Sequence, residues 1–177
     1  MSEYEFILTF KLPSAVDNPA DYIDALFEAG CDDATVGVGK PGSIALDFNR
    51  EADTAENAIR SAIIAVKAAI PGAELTEVKP DLVNLSDIAE IAGCSRQNMR
   101  KYAAGEMRSV ESPFPAPAFT GAPDLWHLAE VGAWLVGHTE FAVSAELLDV
   151  AAVAFDANVE IQQRRIERSR GLRFAFG

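Results

Sequence analysis

The sequence predicts an α+β protein: a ferredoxin-like βαββαβ domain, then a helix-turn-helix, then one long carboxy-terminal helix. Three observations predict it. Alternating runs and helical stripes follow one another in βαββαβ order up to about residue 80. Two short capped helical patterns then meet at Gly93. Finally, apolar residues recur at three- and four-residue steps from Ala145 to Ile166. The expected units are residues 1–80, 82–140 and 144–177.

Tyr4 to Leu12 alternates as a strand. Asn18 is placed to cap a helix with Pro19 at its first position, running through Tyr22, Ile23, Leu26 and Phe27 to Gly30. Thr35–Val38 and Ser43–Phe48 read as strands around the turn Gly39-Lys40-Pro41-Gly42. Thr54 opens a helix with Ala58, Ile59, Ala62, Ile63, Val66 and Ile70 on one stripe, closed by Pro71-Gly72. Glu74 to Val78 is the last strand, and Lys79-Pro80-Asp81 is a short joint, because Pro80 biases its neighbour to extended backbone.

Leu85 to Tyr102 is the segment with the most chemistry. Ser86 is expected to cap a first helix with Ile88, Ala89 and Ala92 on its apolar face. Gly93 supplies a left-handed residue at low steric cost. Ser95 caps a second helix, whose Met99 and Tyr102 turn inward. Arg96, Gln97, Asn98, Arg100 and Lys101 are left pointing outward. Arg and Lys bond guanine edges or phosphates, and Asn and Gln pair with adenine, so this set suits a helix laid in the DNA major groove. A solvated corner of an unrelated helical domain is the plainer alternative.

The segments that follow extend the pattern. Phe114-Pro115-Ala116-Pro117 leads to a short strand at Leu125-Trp126, then to a helix carrying Glu130-Val131 and Trp134. With the run from Ser86 to Arg96, these pieces resemble the winged helix-turn-helix of the excisionase and MerR-like superfamily, over about residues 82–137. The resemblance implies double-stranded DNA as partner. It implies Ser95, Arg96, Gln97, Asn98, Arg100 and Lys101 as the DNA-facing group. Arg108 and a wing near Thr120-Gly121 would touch the backbone or minor groove. The stretch Ala104 to Val110 is longer and more acidic than the family's approach to the wing.

The net charge of −12 runs against a DNA-binding reading until it is mapped. Residues 1–83 hold 15 acids and 6 bases, residues 84–143 hold 7 and 4, and residues 144–177 hold 5 and 5. Between Cys94 and Ser109 there are four bases and one acid. The acidity therefore belongs to the first domain, which is expected to contact a second protein, hold a small molecule, or serve as a passive packing unit. An antitoxin-like protein, whose acidic domain binds a basic partner, is the alternative to a transcriptional regulator.

From Ser144 to Ser169 one helix is expected, with Ala145, Leu148, Ala152, Phe155, Val159, Gln162 and Ile166 as a seam and Asn158 beside it. The seam fits a homodimer or an ordinary intramolecular face, and the resemblance favours the dimer. Arg164, Arg165, Arg168, Arg170 and Arg173 make the end basic, and Phe174 and Phe176 suit docking.

No apolar run matches a membrane span and no signal-peptide pattern opens the chain, so a cytoplasmic protein with no membrane partner is expected. Cys31 and Cys94 make no disulfide framework, and His127 and His138 fit no metal-ligand spacing. The acids Asp17, Asp21, Asp24, Asp32 and Asp33 sit at a helix start and a loop, where charge is ordinary. Gly37, Gly39 and Gly42 do not precede a helix, so no phosphate loop is read. No nucleophile elbow or paired-carboxylate motif points to an enzyme, and no cofactor or metal is expected.

Overall fold

A computed structural model describes residues 1–169 of the chain. The architecture is mixed α+β, with a four-stranded antiparallel sheet, a two-stranded sheet and six helices among the described residues. The large sheet contains β1 (Ser2–Lys11), β2 (Ala34–Gly37), β3 (Ser43–Ala52) and β4 (Glu74–Lys79), in the order β2-β3-β1-β4. Two-residue alternation sets its faces. The register pairs Phe6 with Phe48, Leu8 with Leu46, and Leu8 with Val78, so these side chains share one side. That side is covered by α2 (Ala55–Ala69), which Thr54 caps by accepting from the Asn57 N–H at 3.1 Å. Ala58, Ile59, Ala62 and Val66 form its buried stripe. The rings of Phe6 and Phe48 stack at 5.2 Å. The same registers put Glu3, Glu5, Asp47, Glu51 and Glu77 on the opposite side.

The first helix departs from expectation. Asn18 does accept from the Ala20 N–H at 3.1 Å, but Pro19–Tyr22 is a tight 3-10 turn, and α1 is only Ile23–Glu28. Leu26 alone is buried there, while Ile23 and Phe27 remain exposed. A six-residue helix has room for one inward row, so the expected four-residue face cannot all reach the core.

A second core gathers Val83, Ile88, Ala89, Met99, Trp126, Leu128, Val131 and Leu135. Its elements are β5 (Leu82–Val83), α3 (Leu85–Ile91), α4 (Arg96–Ala103), β6 (Trp126–His127) and α5 (Leu128–His138). The strand expected at Leu125-Trp126 is displaced by one residue. It pairs with β5, Leu82 against His127 and Val83 against Trp126.

The long helix α6 (Ala145–Arg168) is capped by Ser144, whose Oγ accepts from the Leu147 N–H at 3.2 Å. It serves both cores: Val150 and Ala154 enter the first, and Ala151 enters the second. The buried residues are thus not the expected seam. Ala152, Val159, Gln162 and Ile166 are exposed, whereas Val150, Ala151, Ala154 and Ile161 are buried. Small alanines let the helix approach the sheet closely, and that face wins the intramolecular contact. Asn158, expected beside the seam, bonds the backbone of edge strand β4. Its Oδ1 accepts from the Val78 N–H at 2.9 Å and its Nδ2 donates to the Val78 carbonyl at 2.8 Å. Arg170, Arg173, Phe174 and Phe176 lie outside the described residues.

Candidate nucleic-acid interface

Local capping chemistry sets the α3–turn–α4 unit. The cap of α3 is Asn84 rather than Ser86. Asn84 Oδ1 accepts from the N–H groups of Ser86 and Asp87 at 2.8 and 3.2 Å, and Asp87 Oδ2 accepts from the Asn84 N–H at 2.9 Å. This reciprocal box satisfies two orphan donors at once, which places Ser86 already inside the helix. Gly93 takes φ +67°, and the Cys94 N–H donates to the Ala89 carbonyl at 2.9 Å, so the helix ends as expected. Ser95 Oγ then accepts from the Asn98 N–H at 3.1 Å and starts α4.

The inner side of α4 is held by Met99, which is fully buried, and by Tyr102, whose ring meets Trp134 and Phe141 edge-on at 6.2 and 5.6 Å. Arg96, Gln97, Arg100 and Lys101 are exposed, and Asn98 is half-buried. Arg96 and Arg100, like Gln97 and Lys101, are four residues apart, so they form two adjacent rows on one helical surface. None of these cations is in an ion pair among the described residues.

The remaining expected residues sit on loops. Arg108 is exposed in the connection after α4. Thr120 is exposed in a loop closed by two backbone hydrogen bonds between Phe119 and Leu125, at 2.9 and 3.1 Å. Within it, Asp124 Oδ1 accepts from the Gly121 N–H at 2.8 Å. A small cavity of about 160 Å³ lined by Arg96, Pro123 and Asp124 places this loop beside the start of α4. Phe114 anchors the approach to the loop, its ring 4.9 Å from Trp134 and 6.0 Å from Trp126, and the Trp126 Nε1–H donates to the Pro115 carbonyl at 2.9 Å.

One polar cluster was missed by the sequence reading. Asp81 is the only buried charged side chain among the described residues. Its Oδ1 lies 2.6 Å from His127 Nδ1, its Oδ2 accepts from Asn158 Nδ2 at 2.8 Å, and its carbonyl accepts from the Leu128 N–H at 2.7 Å. His127 stacks on Phe155 at 3.8 Å. The joint after β4, the start of α5 and the middle of α6 are tied there. A lone Asp after a proline, a His before a helix and an Asn on a seam carry no shared spacing, so only the Lys79-Pro80-Asp81 joint was visible beforehand.

Burial pushes the Cys94 thiol above its ordinary range, so it stays protonated at neutral pH and is a poor nucleophile. No group of three potential metal ligands occurs among the described residues. The exposed side of α4 offers hydrogen-bond donors and positive charge. No protein-family model matches the chain, and the comparisons with curated proteins and with solved structures return no match.

Proposed function

We propose that the chain is a sequence-specific DNA-binding protein, a bacterial-type transcriptional regulator that reads DNA with α4. The observation that carries this reading is the outer face of α4, where Arg96, Gln97, Arg100 and Lys101 are exposed, the three cations without an ion pair among the described residues, while Met99 fixes the helix from beneath. In this reading α4 lies in the major groove. Arg96, Arg100 and Gln97 address base edges, each good bidentate pair discriminating by about 1–3 kcal/mol. Ser95, Asn98, Lys101, Arg108 and Thr120 contact the backbone or flanking bases.

In this reading the α3–α5 region is a winged helix-turn-helix resembling the excisionase and MerR-like superfamily, with the loop from Phe119 to Leu125 as the wing; the capped α3–turn–α4 unit and the loop closed between Phe119 and Leu125 support it. The strand order β2-β3-β1-β4 supports a ferredoxin-like first domain. Val159, Gln162 and Ile166, left exposed on α6, would join two copies over half-sites one helical turn apart. No helix among the described residues is long and apolar enough to cross a membrane, and the reading places the protein in the cytoplasm.

The test is fluorescence anisotropy of the protein with the DNA upstream of its own gene, against random duplex, over a salt titration. Specific binding should weaken steeply with salt, because phosphate neutralisation releases counterions. Arg96→Ala with Arg100→Ala should abolish the preference for the specific site. Retained preference in that variant, or none in the parent, overturns the reading.

A second reading has one observation in its favour, the solvent side of the large sheet with Glu3, Glu5, Asp47, Glu51 and Glu77. There the chain is antitoxin-like and this face covers a basic protein, with DNA binding serving autoregulation. A basic protein that co-purifies with the parent chain and is lost with Glu5→Lys and Asp47→Lys would favour it.

A further inference from the structure

On a chain of net charge −12, five of the fifteen Lys and Arg residues line one cleft of about 730 Å³. They come from three elements far apart in sequence. Lys11 ends β1, Lys67 lies in the last turn of α2, and Arg164, Arg165 and Arg168 occupy the end of α6. Two carboxylates share the cleft, Glu160 with Arg164 at 2.6 Å and Glu74 with Arg168 at 2.8 Å. Both are exposed pairs, which hold their geometry weakly. Lys11, Lys67 and Arg165 have no ion pair among the described residues. The cleft keeps a surplus of three positive charges.

Between the charged rims the floor is aliphatic, from Ile63, Leu75 and Ile161. Like charges that line one cleft raise the positive potential there, which favours an anion over a neutral ligand. Arginine forks match phosphate oxygens in pairs, and lysines act as point charges on the same groups. An aliphatic floor beneath them suits an organic group rather than a bare ion.

We propose that this cleft binds a phosphorylated small molecule carrying at least two phosphates and an apolar or planar group. The phosphates lie among Lys11, Lys67 and Arg165, and the organic part rests on Leu75 and Ile161. A duplex presents its phosphates on a convex rail and offers no apolar group to this floor, so free phosphorylated compounds fit the cavity better than a nucleic-acid backbone. The site is separate from α4 and does not depend on the DNA reading.

The experiment is isothermal titration calorimetry of the full chain at low salt, with inorganic phosphate, pyrophosphate and ATP as probes. Pyrophosphate should bind once per chain and at least about tenfold tighter than inorganic phosphate, and ATP about tenfold tighter again. Lys67→Ala and Arg165→Ala should each weaken ATP about tenfold, while Lys40→Ala, which removes the same charge from the exposed β2–β3 turn, changes nothing. Lys67 and Arg165 are exposed, so both variants should keep the parent's circular dichroism melt. Arg96→Ala with Arg100→Ala should leave ATP binding intact, which separates this outcome from that of the DNA reading. The proposal is overturned if pyrophosphate and ATP do not bind, or if Lys40→Ala weakens them as much as Arg165→Ala. It is also overturned if random duplex displaces the probe and Lys67→Ala and Arg165→Ala weaken duplex binding by the same factor.

Discussion

The large sheet buries Phe6, Phe10 and Phe48 to 1% exposure or less, and its surface chemistry is mostly carboxylate. The α3–α4 unit buries one long side chain from α4, Met99, and turns cations and an amide outward. The first region has many contacts to lose, and the outer face of its sheet carries mostly carboxylates. The second has a thin interior and a concentrated polar surface. The two regions are joined by α6 and by the Asp81 cluster. Both tryptophans belong to the second core, so their fluorescence follows that core while circular dichroism follows the whole chain.

The contrast can be broken first where it is strongest. Phe48→Ala removes the ring stacked on Phe6 and leaves a cavity, and should cost about 3–5 kcal/mol in denaturant unfolding. Because α6 serves both cores, the tryptophan and dichroism curves should move together. A tryptophan curve that stays in place would mean the second core stands alone. Asp81→Ala comes next. It strips partners from His127 and Asn158 and should cost about 1–3 kcal/mol. Here the two curves should begin to separate, since one of the two ties between the cores is lost and only α6 remains; curves that remain superimposed deny the cluster that role.

Smaller effects sharpen the other side. Ser95→Ala removes the α4 cap and should cost about 1 kcal/mol, with a larger proportional loss of DNA affinity than of stability. Arg96→Ala with Arg100→Ala should move stability by no more than about 0.5 kcal/mol, because both side chains are exposed and have no ion pair among the described residues. A large drop in melting temperature in that variant would show that α4's outer face packs rather than reads.

The elements that the sequence made legible are those whose signal is local. Ser95 and Gly93 work through neighbours three or four residues away, and the strand alternation of β1 needs only its own side chains. Two errors came from signals that were close but incomplete. The Asn84–Asp87 box lies two positions ahead of Ser86, and either residue is a good cap. On α6 two apolar stripes compete, and the choice rests on what the sheet offers, which spacing does not contain. Asn158 illustrates the same point, since its partner Val78 is eighty residues away. Of the candidate interface, the outward set on α4 was readable because a helix fixes it. Its closeness to the 119–125 loop was not, because Pro123 and Asp124 meet Arg96 across a long stretch of sequence that local spacing does not span.

The bond between Asn158 and Val78 also bears on the order in which the chain is made. The strands of the large sheet and the α3–α5 elements lie upstream of α6, so a ribosome supplies them before the helix that completes both cores. Until then the outer edge of β4 at Val78 has an open donor and acceptor, and the nascent sheet presents the template on which strands of other chains pair. The side-chain amide of Asn158 fills that one rung when α6 arrives. Closure of both cores thus waits for α6, and a helix made after the sheet is the one that caps this rung of its edge against other chains.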